Sequence, residues 1–359
     1  MTMIGIDPHK ATHTAVAIDD NEVVLDEFKL RASTSQAQRL CEWAAGFEKR
    51  EWAIESANGL GYLVAQQLVA GGETVFDVPP LLASRVRVLD SGRSQENDPN
   101  DARSVAIAAL RSDRLARVQP DDHTQVLRVL AKRHRDMARL RNKQCCRLHA
   151  LLLELEPGGI SSELSVNKAN QLLTRVKGNS EVTRHRLVIA NEFVEDIARL
   201  DTMLKTSKKR IKVAVTTSAT TLTDIVGIGP ICAAIIIGFT GDVTRFPTKG
   251  HYATYNATAP IETSSGDRPR HRLNPRGNRK LNHAIHIAAI CQLRYPSERR
   301  TLYDKKTTEG KTSKEAIRSL KRKISDRVYQ HLISDAPTRY DKLIETGPGG
   351  HSGTTLRPA

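Results

Sequence analysis

Four carboxylates occupy positions from which they can do chemistry. Asp7 closes the short apolar run MIGID (3–7), and Glu55 ends the run EWAIES (51–56). Both runs read as strands of one sheet, adjacent in space. Two like charges side by side repel unless a cation lies between them, so the pair reads as a divalent-metal site. The stretch ENDPNDARSVAIAALRSD (96–113) adds Asp98 and Asp101. Three residues apart, they share one face of a helix's first turn. They also satisfy a second reading. Asp98 before Pro99 has the form of an N-cap with proline at N1, and Asp101 at N3 completes a capping-box-like start. The two roles are compatible, because a capping carboxylate keeps a second oxygen for a metal.

A second group of residues suits phosphate chemistry. The segment TAPIETSSGDRPRHRLNPRGNRKLNHAIHIAA (258–289) holds Arg268, Arg270, Arg272, Arg276, Arg279 and Lys280, with no acid among residues 268–280. A Ser264-Ser265-Gly266 turn lies just before this cluster. A serine hydroxyl beside arginines can attack a phosphodiester while the guanidinium groups steady the developing charge. No histidine or aspartate completes a triad, so activation must come from a metal or from arginine. His283 and His286 read as a partly buried helix face in preference to a metal pair. Gly227-Ile228-Gly229-Pro230 has the form either of a helix–hairpin–helix turn, whose backbone N–H groups meet a DNA phosphate, or of a plain glycine-rich turn. Lys10, just beyond Asp7, is a further candidate phosphate contact.

The elements that must position these groups follow from periodicity. Residues 3–7, 13–19 and 23–30 read as three consecutive strands. A helix over 34–47, a strand over 51–56, a helix over 59–70 and a strand over 73–79 follow. That order is the order of a ribonuclease H-like sheet. A long helix spans 125–156, with Leu130, Met137, Leu140, Leu148, Leu151 and Leu155 as its seam. A second spans 182–215, with Ile189, Phe193, Ile197, Leu200, Leu204 and Ile211. The pair forms either a coiled-coil arm usable for dimerisation or an intramolecular helical hairpin. Residues 304–332 read as one basic amphipathic helix. The expected divisions are an N-terminal domain over 1–120, an arm and linker over 121–220, a mostly helical domain over 221–335 and a disordered tail over 336–359. The fold class is α/β plus α.

Charge agrees with the motifs. The 359 residues carry 55 Lys+Arg against 40 Asp+Glu, a net +15, which favours a polyanionic partner through phosphate neutralisation. Aromatics make up only 4%, too few for extended base-stacking platforms. The five cysteines form no CxxC pair, against a structural zinc site or a disulfide framework. No signal peptide precedes the first strand, and the longest apolar run, ICAAIIIGF (231–239), is too short to span a bilayer. The chain therefore reads as cytoplasmic and reduced, with no membrane partner.

Taken in order, GIDPHK, IES, DPNDA, VGIGP and SSG before PRGNRKLNHAIHIAA resemble the DEDD transposases of bacterial insertion sequences related to the Piv DNA invertase, the IS-one-ten family. The resemblance covers roughly residues 1–335. It implies a RuvC-like N-terminal domain whose four acids bind Mg2+ (or Mn2+), a coiled coil, and a C-terminal transposase domain with a nucleophilic serine. It further implies RNA-guided recombination, in which a non-coding bridge RNA pairs with donor and target DNA. The implied assembly is a homo-oligomer, dimer to tetramer, that joins the acids of one subunit with the serine of another. Carried onto this sequence, the acids are Asp7, Glu55, Asp98 and Asp101, and the serine is Ser265, with Ser264 as the close alternative. Two positions depart from the pattern. ENDPNDA keeps the acids and alanine of the third block but lacks its basic neighbours, and Asp267 follows the glycine of the serine loop. The other enzymatic reading is a RuvC-like, Holliday-junction type endonuclease that uses the same acids to activate water. An actin-like sugar kinase would want Gly-x-Thr after the aspartate, which Pro8-His9-Lys10 does not supply.

Overall fold

Unbroken apolar runs over residues 3–6 and 15–18 form two adjacent strands buried on both faces, with successive residues facing opposite layers. The computed structural model describes residues 1–91, 98–112, 115–262, 271–272, 274–275, 277–294 and 298–345. It divides into two compact units, Met1–Asp121 and Asp122–Ala359.

In the first unit β1 (Thr2–Pro8), β2 (Thr12–Ile18) and β3 (Val24–Arg31) form an antiparallel meander. Next come α1 (Gln36–Trp43), β4 (Arg50–Glu55), α2 (Tyr62–Ala70), β5 (Val75–Val78), α3 (Pro80–Ser91), α4 (Asp98–Leu110) and β6 (Ala116–Arg117). The sheet order is β3-β2-β1-β4-β5-β6, with β4 parallel to both β1 and β5. The ribonuclease H-like, RuvC-like order is thus present, with one short antiparallel edge strand added. The period of two sorts the side chains. Ile4, Ile6, Ala15, Ala17, Trp52 and Ile54 face the layer of α1 and α2. Met3, Val16, Ile18 and Ala53 face the layer of α3 and α4.

α4 lies directly on β1 because Gly5 carries no side chain. A Cβ there would fall 2.1 Å from the Ala102 carbonyl oxygen and 2.6 Å from the Ala106 nitrogen. The helix expected from Gly59 begins at Tyr62 instead, because the intervening loop turns on itself. Ser56 takes a left-handed φ of 52°, and the Gly59 and Gly61 N–H groups donate to its carbonyl.

In the second unit, α5 (His123–Leu153) starts on Asp122, whose side chain accepts from the Thr124 N–H. α6 (Val166–Leu173) and α7 (Glu181–Thr217) follow. α5 and α7 run antiparallel as an intramolecular hairpin, tied by Arg141–Asp201 and by Gln144 donating to Asp196. The expected seams are partly displaced. Leu140 is 47% exposed and Ile189 is 44% exposed, while Cys145 and Ala190 are buried. Met137, Leu148, Ile197, Leu200 and Ile211 are buried as expected, and Ala169 and Leu173 of α6 join the same cluster as Leu148 and Ile197.

α8 (Pro230–Thr240), α9 (Lys249–Tyr255), β7 (Ile261–Glu262), β8 (His271–Arg272), α10 (Arg279–Leu293), α11 (Glu298–Thr308) and α12 (Ser313–Glu345) complete the chain. One core takes Leu127 and Ala131 of α5 and Ile211 and Val215 of α7 together with α8, α10 and α12. No unit boundary falls near 220, because the hairpin's ends are part of that core. The helix expected over 304–332 is two helices. Gly310, at φ 84°, ends the first, and Thr312 with Glu315 forms a capping box that starts the second. Helix α12 continues to Glu345, beyond the boundary expected at 335; residues 346–359 lie outside those described.

Candidate active site

Asp7 is the last odd-numbered residue of β1, on the face covered by α4. Glu55 is its counterpart: Ile6 and Ile54 are Cα partners, and each acid is the next residue along. The close packing of α4 on Gly5 brings that helix's first turn, with Asp98 and Asp101, to the same strand ends. The four acids therefore converge. Their mutual influence raises the proton affinity of Asp7 and Glu55. Burial, then Asp101 and Asp98, raise the Asp7 carboxyl above the usual carboxylate range against the pull of His9 and Arg87. Burial, then Asp7 and Asp101, raise Glu55 in the same way. Side chains only 8% exposed, as Asp7 is, lose hydration that a neighbouring charge must replace.

Three basic side chains stand among the acids, and none was singled out by sequence as part of the site. His9 lies two residues past Asp7 on the same face, 3.8 Å from Asp7 Oδ2 and 3.6 Å from Asp98 Oδ1. Lys29 Nζ of β3 donates to Asp98 Oδ2 at 2.6 Å, and this bond chiefly holds the Asp98 carboxyl below its ordinary value. Arg87 of α3 pairs with Asp101. The signal for His9 was its i+2 spacing from Asp7. Lys29 and Arg87 left none, because their partners are far away in sequence. Ligand atoms of Asp7, His9 and Asp98 lie within 4.8 Å of one another. A cluster of hard oxygen donors that raise one another's proton affinity, with one imidazole, fits a divalent cation.

Residues 4–157 match the family model of the DEDD transposase of IS110, and residues 219–304 match that of the transposase IS116/IS110/IS902 family. In chain order, the two matches take in about two thirds of the sequence. The chain belongs to the IS116/IS110/IS902 transposase family. Among relatives, it is 25% identical to the 44.8 kDa insertion element IS116 protein of Streptomyces clavuligerus, over 92% of this chain and 94% of that one. It is 37% identical to the insertion element IS110 43.6 kDa protein of Streptomyces coelicolor, over 28% and 25% of the two chains. With the insertion element IS900 42 kDa protein of Mycobacterium paratuberculosis it shares 23% over 89% and 92%. Thermus thermophilus RuvC aligns with 33% of this chain and all of its own, at 17% identity and a TM-score of 0.26. RuvC bound to a Holliday junction substrate aligns with 31% of this chain and 93% of its own, at 16% and 0.24. The assignment of the sheet rests on its strand order.

The remaining expected residues of this transposase are placed unevenly. Lys10 is exposed in the β1–β2 turn. Gly227 is pressed against α10: with φ 85°, a Cβ there would lie 2.7 Å from the Ala288 carbonyl oxygen. A side chain at this position would meet the α10 backbone. Gly229 caps α8 with open space around its α-carbon. Arg279 is exposed at the start of α10, and Lys280 follows it. Ser264, Ser265, Arg268, Arg270 and Arg276 lie outside the described residues, as does the side chain of Arg272. The antiparallel pairs Ile261–Arg272 and Glu262–His271 bracket the serine segment. In PRGNRKLN, Asn278 accepts from the Lys280 and Leu281 N–H groups, and Asn282 donates to the Asn256 and Ala257 carbonyls. His283 and His286 have Lys321 as their charged neighbour, with Arg135 also beside His283. Among the described residues no helix is long and apolar enough to cross a membrane.

Proposed function

We propose that this transposase cuts and rejoins donor and target DNA as a metal-dependent recombinase, with Asp7, Glu55, Asp98 and Asp101 holding Mg2+ or Mn2+ and Ser265 as the nucleophile. The observation that carries the reading is the gathering of four carboxylates at the neighbouring ends of β1, β4 and α4, with ligand atoms of Asp7 and Asp98 close together and Asp101 acting on both Asp7 and Glu55. A divalent cation there supplies electrostatic stabilisation of charge on the scissile phosphate. Lys29 pairs with Asp98 and Arg87 pairs with Asp101, which fixes the orientation of these two carboxylates. The Ser265 Oγ forms a bond to phosphorus and releases its proton to solvent. The bond from phosphorus to the leaving deoxyribose oxygen breaks, and that oxygen takes up a proton. The resulting phosphoserine conserves a phosphodiester, so a strand hydroxyl can reverse the step and join new ends. The likeness of the GIDPHK and SSG…RGN blocks to Piv-related recombinases supports a bridge RNA as guide and a dimer-to-tetramer assembly, and the net charge of +15 suits the load of phosphate.

The test incubates wild type, Ser265→Ala and Glu55→Ala with cognate DNA ends and Mg2+, then separates protein from DNA under denaturing conditions. Wild type should trap a covalent protein–DNA adduct, and both variants should lose it. Free cut ends produced equally by Ser265→Ala would make water the nucleophile, as in a Holliday-junction type nuclease. Sequencing the nucleic acid that co-purifies tests the guide: absence of a discrete RNA refutes that part.

A further inference from the structure

Helix α5 has one face in the core and another that is strongly basic. Leu127, Ala131, Met137, Leu148 and Leu152 are buried. Arg128, Lys132, Arg135 and Arg139 recur at intervals of four, three and four. At 100° and 1.5 Å per residue, that spacing keeps all four within about 60° of the helix circumference over roughly 16 Å. Lys280 of α10 joins this stripe. Its Nζ stands 4.4 Å from the centroid of the Phe239 ring, and the Arg128 guanidinium stands 5.4 Å from the same ring. Helix α8 brings Phe239 there because Gly238 lacks a side chain, and a Cβ would fall 2.5 Å from the Arg128 backbone nitrogen.

Two further observations show that these cations form one field. The Lys280 amine is held below its ordinary value, first by burial and then by Arg128, Arg135, Lys132 and Arg139. Asp136 reaches Arg139 at 4.0 Å, but among the described residues no carboxylate pairs with Lys132, Arg135 or Lys280. Like charges at this density raise the energy of the bare surface, and a polyanion relieves it. The Phe239 ring is engaged by cations, so the ridge offers charge without a free stacking platform, which favours phosphate over base contacts. Its length matches the rise of about five nucleotides along one strand of B-form DNA.

The geometry points to the α5–α10 ridge, Arg128, Lys132, Arg135, Arg139 and Lys280, as a docking surface for the phosphodiester backbone of duplex DNA. It belongs to the second unit, whereas the acids belong to the first, and it stands whether or not the serine reading does.

The test measures binding of the full-length protein to labelled duplex DNA and to labelled single-stranded RNA across a salt series in EDTA, where no cleavage intervenes. Lys132→Gln with Arg135→Gln should flatten the log K against log salt slope by about 1.8 on duplex DNA or about 1.4 on single strands. Lys311→Gln with Lys314→Gln removes the same charge from exposed positions on the α11–α12 turn and should leave the slope unchanged. Arg139→Gln, at an exposed position, gives a milder second variant that should flatten it by about 0.9 on duplex DNA. Thermal midpoints confirm folding. The slope should flatten on duplex DNA, and a loss confined to RNA overturns the assignment to DNA. Ridge variants that match the Lys311/Lys314 control on both nucleic acids overturn the inference.

Discussion

Replacing Gly5 by alanine tests how the active site is assembled. The added Cβ would lie 2.1 Å from the Ala102 carbonyl oxygen, 2.6 Å from the Ala106 nitrogen and 2.9 Å from the Ala106 Cβ. Ordinary contact begins near 3.4 Å, so α4 must lift from β1 by about 1.3 Å. The atoms in the way are helix backbone, which no rotamer change can move. Overpacking of this kind costs about 1–3 kcal/mol, which for a unit of this size lowers the thermal midpoint by roughly 5–10 °C. The same shift carries Asp98 and Asp101 away from Asp7 and Glu55, and a displacement of about 1 Å can cost on the order of a hundredfold in activity. The assay is thermal unfolding with and without Mg2+, beside strand cleavage of cognate DNA ends. Gly46→Ala is the control, since nothing lies within 4 Å of its would-be Cβ. If Gly5→Ala kept the wild-type midpoint and the wild-type Mg2+ response, α4 would not be held on β1 as described, and the convergence argument would fail.

Two further outcomes follow from the described contacts. The Asp7 and Glu55 carboxyls are raised in the folded state, so the folded protein binds more protons than the unfolded one, and these acids destabilise it increasingly as pH rises through their folded pKa values. Asp7→Asn should therefore raise the midpoint of the metal-free protein at neutral pH, with the gain shrinking as pH falls, while losing the Mg2+ stabilisation of about 2.7 kcal/mol expected at a hundredfold excess over Kd. A constant difference between the two melting curves from pH 4 to pH 8 would contradict this. Thr312→Ala removes the cap of α12, whose Oγ accepts from the Glu315 N–H, and should cost about 1 kcal/mol by urea unfolding; an unchanged midpoint would show that the break at Gly310 is held by packing alone.

Local regularities were legible in the chain. Alternation over MIGID and EWAIES put Asp7 and Glu55 on one face of neighbouring strands, because a strand's side-chain period is two whatever surrounds it. The spacing of Asp98 and Asp101 likewise placed them on one helix turn. The break in the helix expected over 304–332 was written in Gly310 and in Thr312 with Glu315, yet amphipathic spacing on both sides masked it. Groups remote in sequence became neighbours only through packing. Lys29 meets Asp98, and Arg87 meets Asp101, because α3 and α4 cover one face of the sheet. Gly227, which reads either as a phosphate turn or as a plain glycine-rich turn, lies against α10. Lys280 completes the basic stripe of α5 because Gly238 lets α8 touch that helix. Period and propensity act over a few residues and so determine which face a side chain takes. The distance between two faces depends on how closely backbones approach, and here that is decided at glycines such as Gly5 and Gly238, whose partners lie about a hundred residues away or more.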